Sequence, residues 1–267
     1  MTAAGPVRDG DAVAVDPGGP AGRSAAGRSA AGRSAAGRSA RWRSGRAVID
    51  ALADLVVPLE CGGCGRPDVA WCRHCREAVR DVPRRLSPRI DPGVPTWACA
   101  RYRGPAGVAV VNVKEHGRRD LVPVLGGLLT RSLVTLARWG DLPDAAGLAL
   151  VPAPTRRSAA RRRGGDTVTA VAREAASGMG PAVRVVPALV TSALTRDSAG
   201  LGAGARSANL SGAVRLAATL PEPVRSSAAP TVVVDDVLTT GATAAQAVRV
   251  LRRHGARVVA VVVCTDA

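Results

Sequence analysis

Apolar positions recur along this chain at two spacings, helical and extended, and each predicts its own kind of element. Val48, Ile49, Leu52, Leu55 and Val56 fall on one helical face, so a short amphipathic helix is expected before Pro58 stops it. Leu121, Val124, Leu125, Leu128, Leu129, Leu133 and Leu136 line one side of a much longer helix. Short apolar runs at 97–102, 147–151 and 183–186 read as strands, and 167–177 reads as a helix. Towards the C-terminus an apolar strand from Thr231 opens into a small loop, followed by a helix over 244–254 and a buried strand over 257–264. Alternating strands and helices predict an α/β fold, a parallel sheet flanked by helices.

Residues 21–40 do not fit that pattern. They repeat Ala-Gly-Arg-Ser-Ala four times, with no large side chain to bury and a glycine in every repeat. Residues 1–46 carry eight arginines against three aspartates and are expected to form a disordered basic tail. Ordered structure should begin near Arg46, with a helix and cysteine-rich module over 47–95 and the α/β domain over 96–267. The 267-residue chain is 46% hydrophobic but only 2% aromatic and has no Phe, so its core must be built from Val, Leu and Ala. Formal net charge is +16. That balance suits polyanions, such as phosphorylated small molecules or single-stranded DNA, and equally suits a coding bias towards Arg. No membrane span and no signal-peptide apolar region are expected, which points to a cytoplasmic chain.

In such a chain cysteines point to metal before disulfides. Cys61-x-x-Cys64 and Cys72-x-x-Cys75 are two knuckle pairs, each bringing two thiolates to one side of a tight turn. Four thiolates close a tetrahedral shell around Zn²⁺ with no open position, so the metal expected here is structural. His74 could replace one ligand, although the set is complete without it. Cys99 and Cys264 read as small buried hydrophobes.

Residues 231–243, Thr-Val-Val-Val-Asp-Asp-Val-Leu-Thr-Thr-Gly-Ala-Thr, carry the most chemistry. A strand feeding a helix through such a loop offers backbone N–H groups and the positive helix end to a phosphate. Gly241 permits close approach, and Thr239, Thr240 and Thr243 can donate hydrogen bonds. Asp235 and Asp236 can accept from a sugar diol or hold Mg²⁺. A Walker-type site is excluded because Lys114, followed by Glu115, is the only lysine and lies in no glycine-rich loop. An aspartyl-phosphate site would want an acid where Val237 stands. The plainer alternative is a buried strand with an ordinary helix cap.

This segment resembles the phosphoribosyl-diphosphate (PRPP) motif of type I phosphoribosyltransferases. Further matches point to the ComF-like (competence protein F-like) branch: the paired knuckles, Lys114 with Gly117, Val151-Pro152-Ala153-Pro154, Arg163-Gly164, and Arg206-x-x-Asn209-x-x-Gly212-Ala213. The resemblance spans about 48–267. It implies a phosphoribosyltransferase-like sheet with a zinc-ribbon-like module before it. PRPP would be held by Asp235, Asp236, Val237, Leu238, Thr239, Thr240, Gly241, Ala242 and Thr243, with Lys114 as an anion contact or a surface residue. Arg156, Arg161 and Arg163 would face the pyrophosphate, Arg156 and Arg163 serving catalysis with the two aspartates, and Mg²⁺ would accompany PRPP.

The departures matter as much. Family Arg-Gly-Phe-Asn-Gln is Arg163-Gly164-Gly165-Asp166-Thr167 here, and Ser198 replaces a usual glutamine. Purine-salvage relatives place an acid where Thr239 stands. Two readings therefore stay open: an enzyme transferring phosphoribosyl to an acceptor, and a PRPP- or nucleotide-binding competence-type protein that handles single-stranded DNA.

Overall fold

The computed structural model describes residues 59–80, 82–155, 165–191 and 214–267. The expected basic tail and the 48–56 helix lie outside these residues. So do Arg156, Arg161, Arg163 with Gly164, Ser198, and the Arg206–Ala213 motif.

The strands are β1 (Arg84–Leu86), β2 (Thr96–Arg101), β3 (Leu148–Pro152), β4 (Val183–Val185), β5 (Leu189–Thr191), β6 (Val214–Leu216), β7 (Thr231–Leu238) and β8 (Val258–Asp266). The helices are α1 (Arg73–Ala78), α2 (Gly104–Glu115), α3 (Val122–Arg138), α4 (Thr167–Ser177), α5 (Glu222–Arg225) and α6 (Ala242–Arg253). Six strands make one sheet in the order β1-β2-β8-β7-β3-β4, and β5 pairs with β6 as a separate ribbon. From β2 to β4 every neighbouring pair is parallel; β1 joins antiparallel. The mostly parallel α/β sheet expected from the sequence is present, and α4 has the expected bounds.

Burial on both faces explains the unbroken apolar runs of the central strands. Because side chains alternate across a strand, Val232 and Val234 face α2, α3 and α4, whereas Val233 faces α6. On the first side Val110, Leu125, Leu129 and Val171 complete the core; on the second, Ala247, Val248 and Leu251 do so.

One connection decides where chemistry can occur. The chain leaves β3 through α4 to reach β4 on one side, and leaves β7 through α6 to reach β8 on the other. The two helices cover opposite faces. Sheet growth therefore reverses between β3 and β7. In open α/β sheets the crevice beyond the carboxyl ends of two such strands is where ligands bind.

Two sequence expectations need correction. Residues 47–95, expected to hold only a helix and the cysteine-rich module, also supply a strand, because β1 forms there and extends the sheet. Arg119–Arg138 is, by length and composition, one helix that could cross a membrane, against the expectation of no such stretch. In this fold it is a core helix: Leu121, Leu125, Leu129, Leu133 and Leu136 are at most 1% exposed. Leucines on one stripe raise its overall apolarity.

Thr231, at the start of β7, is fully buried, and its hydroxyl has no hydrogen-bond partner among the described residues. Thr231→Val should therefore raise unfolding free energy by about 1 kcal/mol in urea titration, since it removes an unpaired buried polar group at constant shape. A loss of similar size would show that the hydroxyl has a partner.

Candidate functional site

β7 delivers Asp235 and Asp236 to the carboxyl edge of the sheet at the β3–β7 reversal. Neither side chain is fully exposed. The Asp236 backbone N–H donates to Asp235 Oδ1 at 2.9 Å, and Lys114 Nζ donates to Asp236 Oδ1 at 3.1 Å. Lys114 comes from α2 and is itself half-buried, so a charged pair bridges two elements on one face. Burial first, and then the neighbouring Asp236 charge, raise the Asp235 carboxyl to about 7 against the opposing effects of the Asp236 N–H and Lys114.

Beyond the carboxylates the chain turns through Thr239 and Thr240, both exposed, to Gly241. Gly241 caps α6 in the left-handed conformation, with φ 86° and no side-chain cap. A Cβ there would fall 2.4 Å from the Ile90 carbonyl oxygen, so glycine is required by the backbone and by the segment lying over it. The close approach expected for a ligand is here made by the chain itself. The Ile90 N–H also donates to the Thr240 carbonyl at 2.9 Å. Thr240 Oγ1 accepts from the Ala242 N–H at 3.3 Å, while the N–H groups of Thr243 and Ala244 meet no acceptor among the described residues. An uncapped helix start of this kind can accept an anion.

β3 ends beside β7, where the Ala153 N–H donates to the Val234 carbonyl at 2.7 Å. Pro152 to Thr155 therefore borders the same crevice. Asp166 ties this segment down: it caps α4 by accepting from the Thr169 N–H at 3.3 Å, and it accepts from Thr155 Oγ1 at 3.0 Å. In the sequence Asp166 stands out only as a departure from a family pattern. An aspartate just before an apolar-periodic helix is the signal that could have found the cap. The enclosed cavity among Lys114, Asp235, Asp236, Val168 and Cys264 is about 10 Å³, room for roughly one water.

The four expected thiols also come together. Cys61, Cys64, Cys72 and Cys75 place their Sγ atoms within 4.8 Å of one another. Cys61–Cys75 and Cys64–Cys72 are each separated by 3.6 Å. A tetrahedral zinc with bonds of about 2.3 Å sets its sulfurs about 3.8 Å apart, so the cluster could hold that ion. The Cys72 N–H donates to Cys61 Sγ at 3.3 Å, and the Cys75 N–H to Cys72 Sγ at 3.4 Å, the latter forming the α1 N-cap. Burial pushes the Cys61 thiol up, but N–H groups of Cys72, Gly63 and Cys64 outweigh it and lower the group to about 6. Burial and the neighbouring thiols push Cys75 up. His74 is exposed and outside the cluster. Cys99 and Cys264 are buried as expected, with burial raising both thiols.

No family model matches this chain, and no curated protein matches it. A solved structure described as an analysis of an invariant aspartic acid in HPRTs, an asparagine mutant, is similar at a TM-score of 0.32 and 14% identity. The match covers 58% of this chain and 77% of that one.

The raised Asp235 carboxyl gives a pH signature. The native state keeps this proton up to about pH 7, whereas the unfolded chain releases it near 3.8. The native state thus binds more protons between those values, and stability falls as pH rises through them. Urea midpoints measured across that window should fall for wild type, and Asp235→Asn should flatten the slope. Parallel slopes for both proteins would contradict the raised carboxyl.

Proposed function

We propose that this protein binds PRPP at the β3–β7 reversal and transfers its phosphoribosyl group to an acceptor, releasing pyrophosphate. One observation carries the reading: adjacent carboxylates and an uncapped, glycine-started helix share the carboxyl edge of the sheet where its growth reverses. The family resemblance of 231–243 supplies the ligand.

In this reading Asp235 and Asp236 accept hydrogen bonds from the ribose hydroxyls. The Thr239–Thr243 loop holds the 5′-phosphate, using the Thr243 and Ala244 N–H groups and the exposed threonine hydroxyls. Val237 and Leu238 set the strand end from which the loop departs. Lys114 neutralises Asp236 and so lets two acids stand together beside an anionic ligand. The segment after β3 leads to Arg156, Arg161 and Arg163, which lie outside the described residues and supply cations for the leaving pyrophosphate. Mg²⁺, when bound with PRPP, supplies further positive charge to the diphosphate, and the carboxylates offer it hard oxygen ligands. The four cysteines hold a structural Zn²⁺.

A second reading keeps PRPP or nucleotide binding without turnover, in a protein handling single-stranded DNA. Two observations favour it. Thr239 offers no carboxylate to activate a nucleobase. On α6, Arg249, Arg252 and Arg253 line an open cleft of about 470 Å³ in which Asp91 is the one acid among the described residues.

Calorimetry with PRPP and Mg²⁺ should show saturable binding by the wild-type protein, weakened about tenfold or more by Asp236→Asn, which removes a charged hydrogen-bond acceptor. Equal binding by both contradicts the role of Asp236. Pyrophosphate release across a panel of amine and nucleobase acceptors supports the enzyme; binding without release supports the second reading.

A further inference from the structure

We infer that the four-cysteine knuckle, when loaded with metal, sets the position of Lys114 and thereby tunes the β7 carboxylates, with Asn112 as the positioning residue between them. The inference rests on the β7 edge being the ligand site proposed above, and it adds a regulator to that site.

α2 is the element that carries Lys114. It starts Gly-Pro-Ala-Gly, has no side-chain cap at Arg103, and is 12 residues long. A helix of that length and composition is marginal by itself, so what it packs against fixes its place. One support is the sheet, through Val110 and Val113. The other is the knuckle. Gly63 sits so close to Pro105 that a Cβ would come within 2.9 Å of it. Further along, Asn112 Nδ2 donates to the Gly62 carbonyl at 3.0 Å. Past the helix end, Arg118 Nη2 donates to the Glu60 carbonyl at 2.8 Å, and Leu121 lies against Gly62, where an added Cβ would meet Cδ1 at 2.2 Å. Lys114 stands between Asn112 and Arg118. The knuckle backbone therefore holds the chain on both sides of the residue that reaches Asp236 at 3.1 Å.

Among its described residues the knuckle packs Trp71 and Val79 into the core shared with α2 and α3, and its own interior is built on the thiols. Its buried side chains are Cys61, Trp71, Cys72, Cys75 and Val79, and three of those five are members of the thiol cluster. A small segment built around four thiolates acquires its fold when metal replaces their protons. Metal loading then presents the Glu60 and Gly62 carbonyls at fixed positions, and α2 docks on them. Without the metal those acceptors lose their placement, and the Lys114 ammonium is no longer delivered to Asp236.

Lys114 is the chain's single lysine, which makes the test direct. Full-length protein labelled with ¹⁵N-lysine gives one side-chain ammonium signal. In the zinc-loaded wild type it should lie away from the free-lysine position, and Asp236→Asn should return it there. Chelation of the metal and, separately, Asn112→Ala with zinc still bound should each move it the same way. Asn112→Ala keeps the test decisive if the metal-free chain unfolds. A signal that stays put in zinc-loaded Asn112→Ala, or a wild-type protein that binds no metal, overturns the inference. In calorimetry with PRPP and Mg²⁺, Asn112→Ala should weaken binding about tenfold, within the usual range of site-to-site coupling. The same change should cost nothing more in a Lys114→Met background; additive losses overturn the inference. If the wild type binds no PRPP, the ligand assignment fails, and the ammonium signal still decides the coupling.

Discussion

Two carboxylates side by side at the end of a buried strand repel each other, and the surroundings of β7 answer that repulsion in two ways. Burial and the Asp236 charge let Asp235 keep its proton up to about pH 7, and Lys114 supplies one positive charge to Asp236. The arrangement holds one negative charge opposed by one positive charge, beside a helix start with free N–H groups. A site tuned in this way can receive a further anion together with a cation. It would be an expensive way to end a strand with no ligand to meet.

The same edge depends on backbone conformation. Gly241 must be glycine because of its positive φ and because the Ile90 carbonyl presses against it. The stretch around Pro88 and Ile90 thus braces the loop from outside while α6 holds it from within. Asp166 performs a similar service for the strand next door, fastening Thr155 to the start of α4. The carboxylates, the loop and the end of β3 are held by three separate fastenings.

Much of this was legible in the sequence because it is local. The apolar run into Asp235-Asp236, the leucine stripe of α3, the bounds of α4 and the cysteine spacings each follow from residues a few positions apart. What stayed hidden depends on partners far along the chain. β1 is three residues long and lies in a Pro- and Arg-rich stretch; pairing with β2 makes it a strand. α2 begins with helix-poor residues, and its docking on the sheet and knuckle, rather than its periodicity, defines it. The Lys114–Asp236 pair joins positions 122 apart, so neither residue announces the other. The reversal between β3 and β7 is likewise a property of strand order.

The proposed function requires that the β7–α6 edge receive a phosphorylated pentose. It is tested most directly by titrating ribose 5-phosphate into ¹⁵N-labelled protein and following the backbone amide resonances. Saturable shifts should concentrate at Asp236 and at Gly241, Ala242, Thr243 and Ala244, with Arg249 and Arg253 on the same helix unmoved. Silence at the helix start, or shifts confined to the arginine cleft, would contradict the assignment.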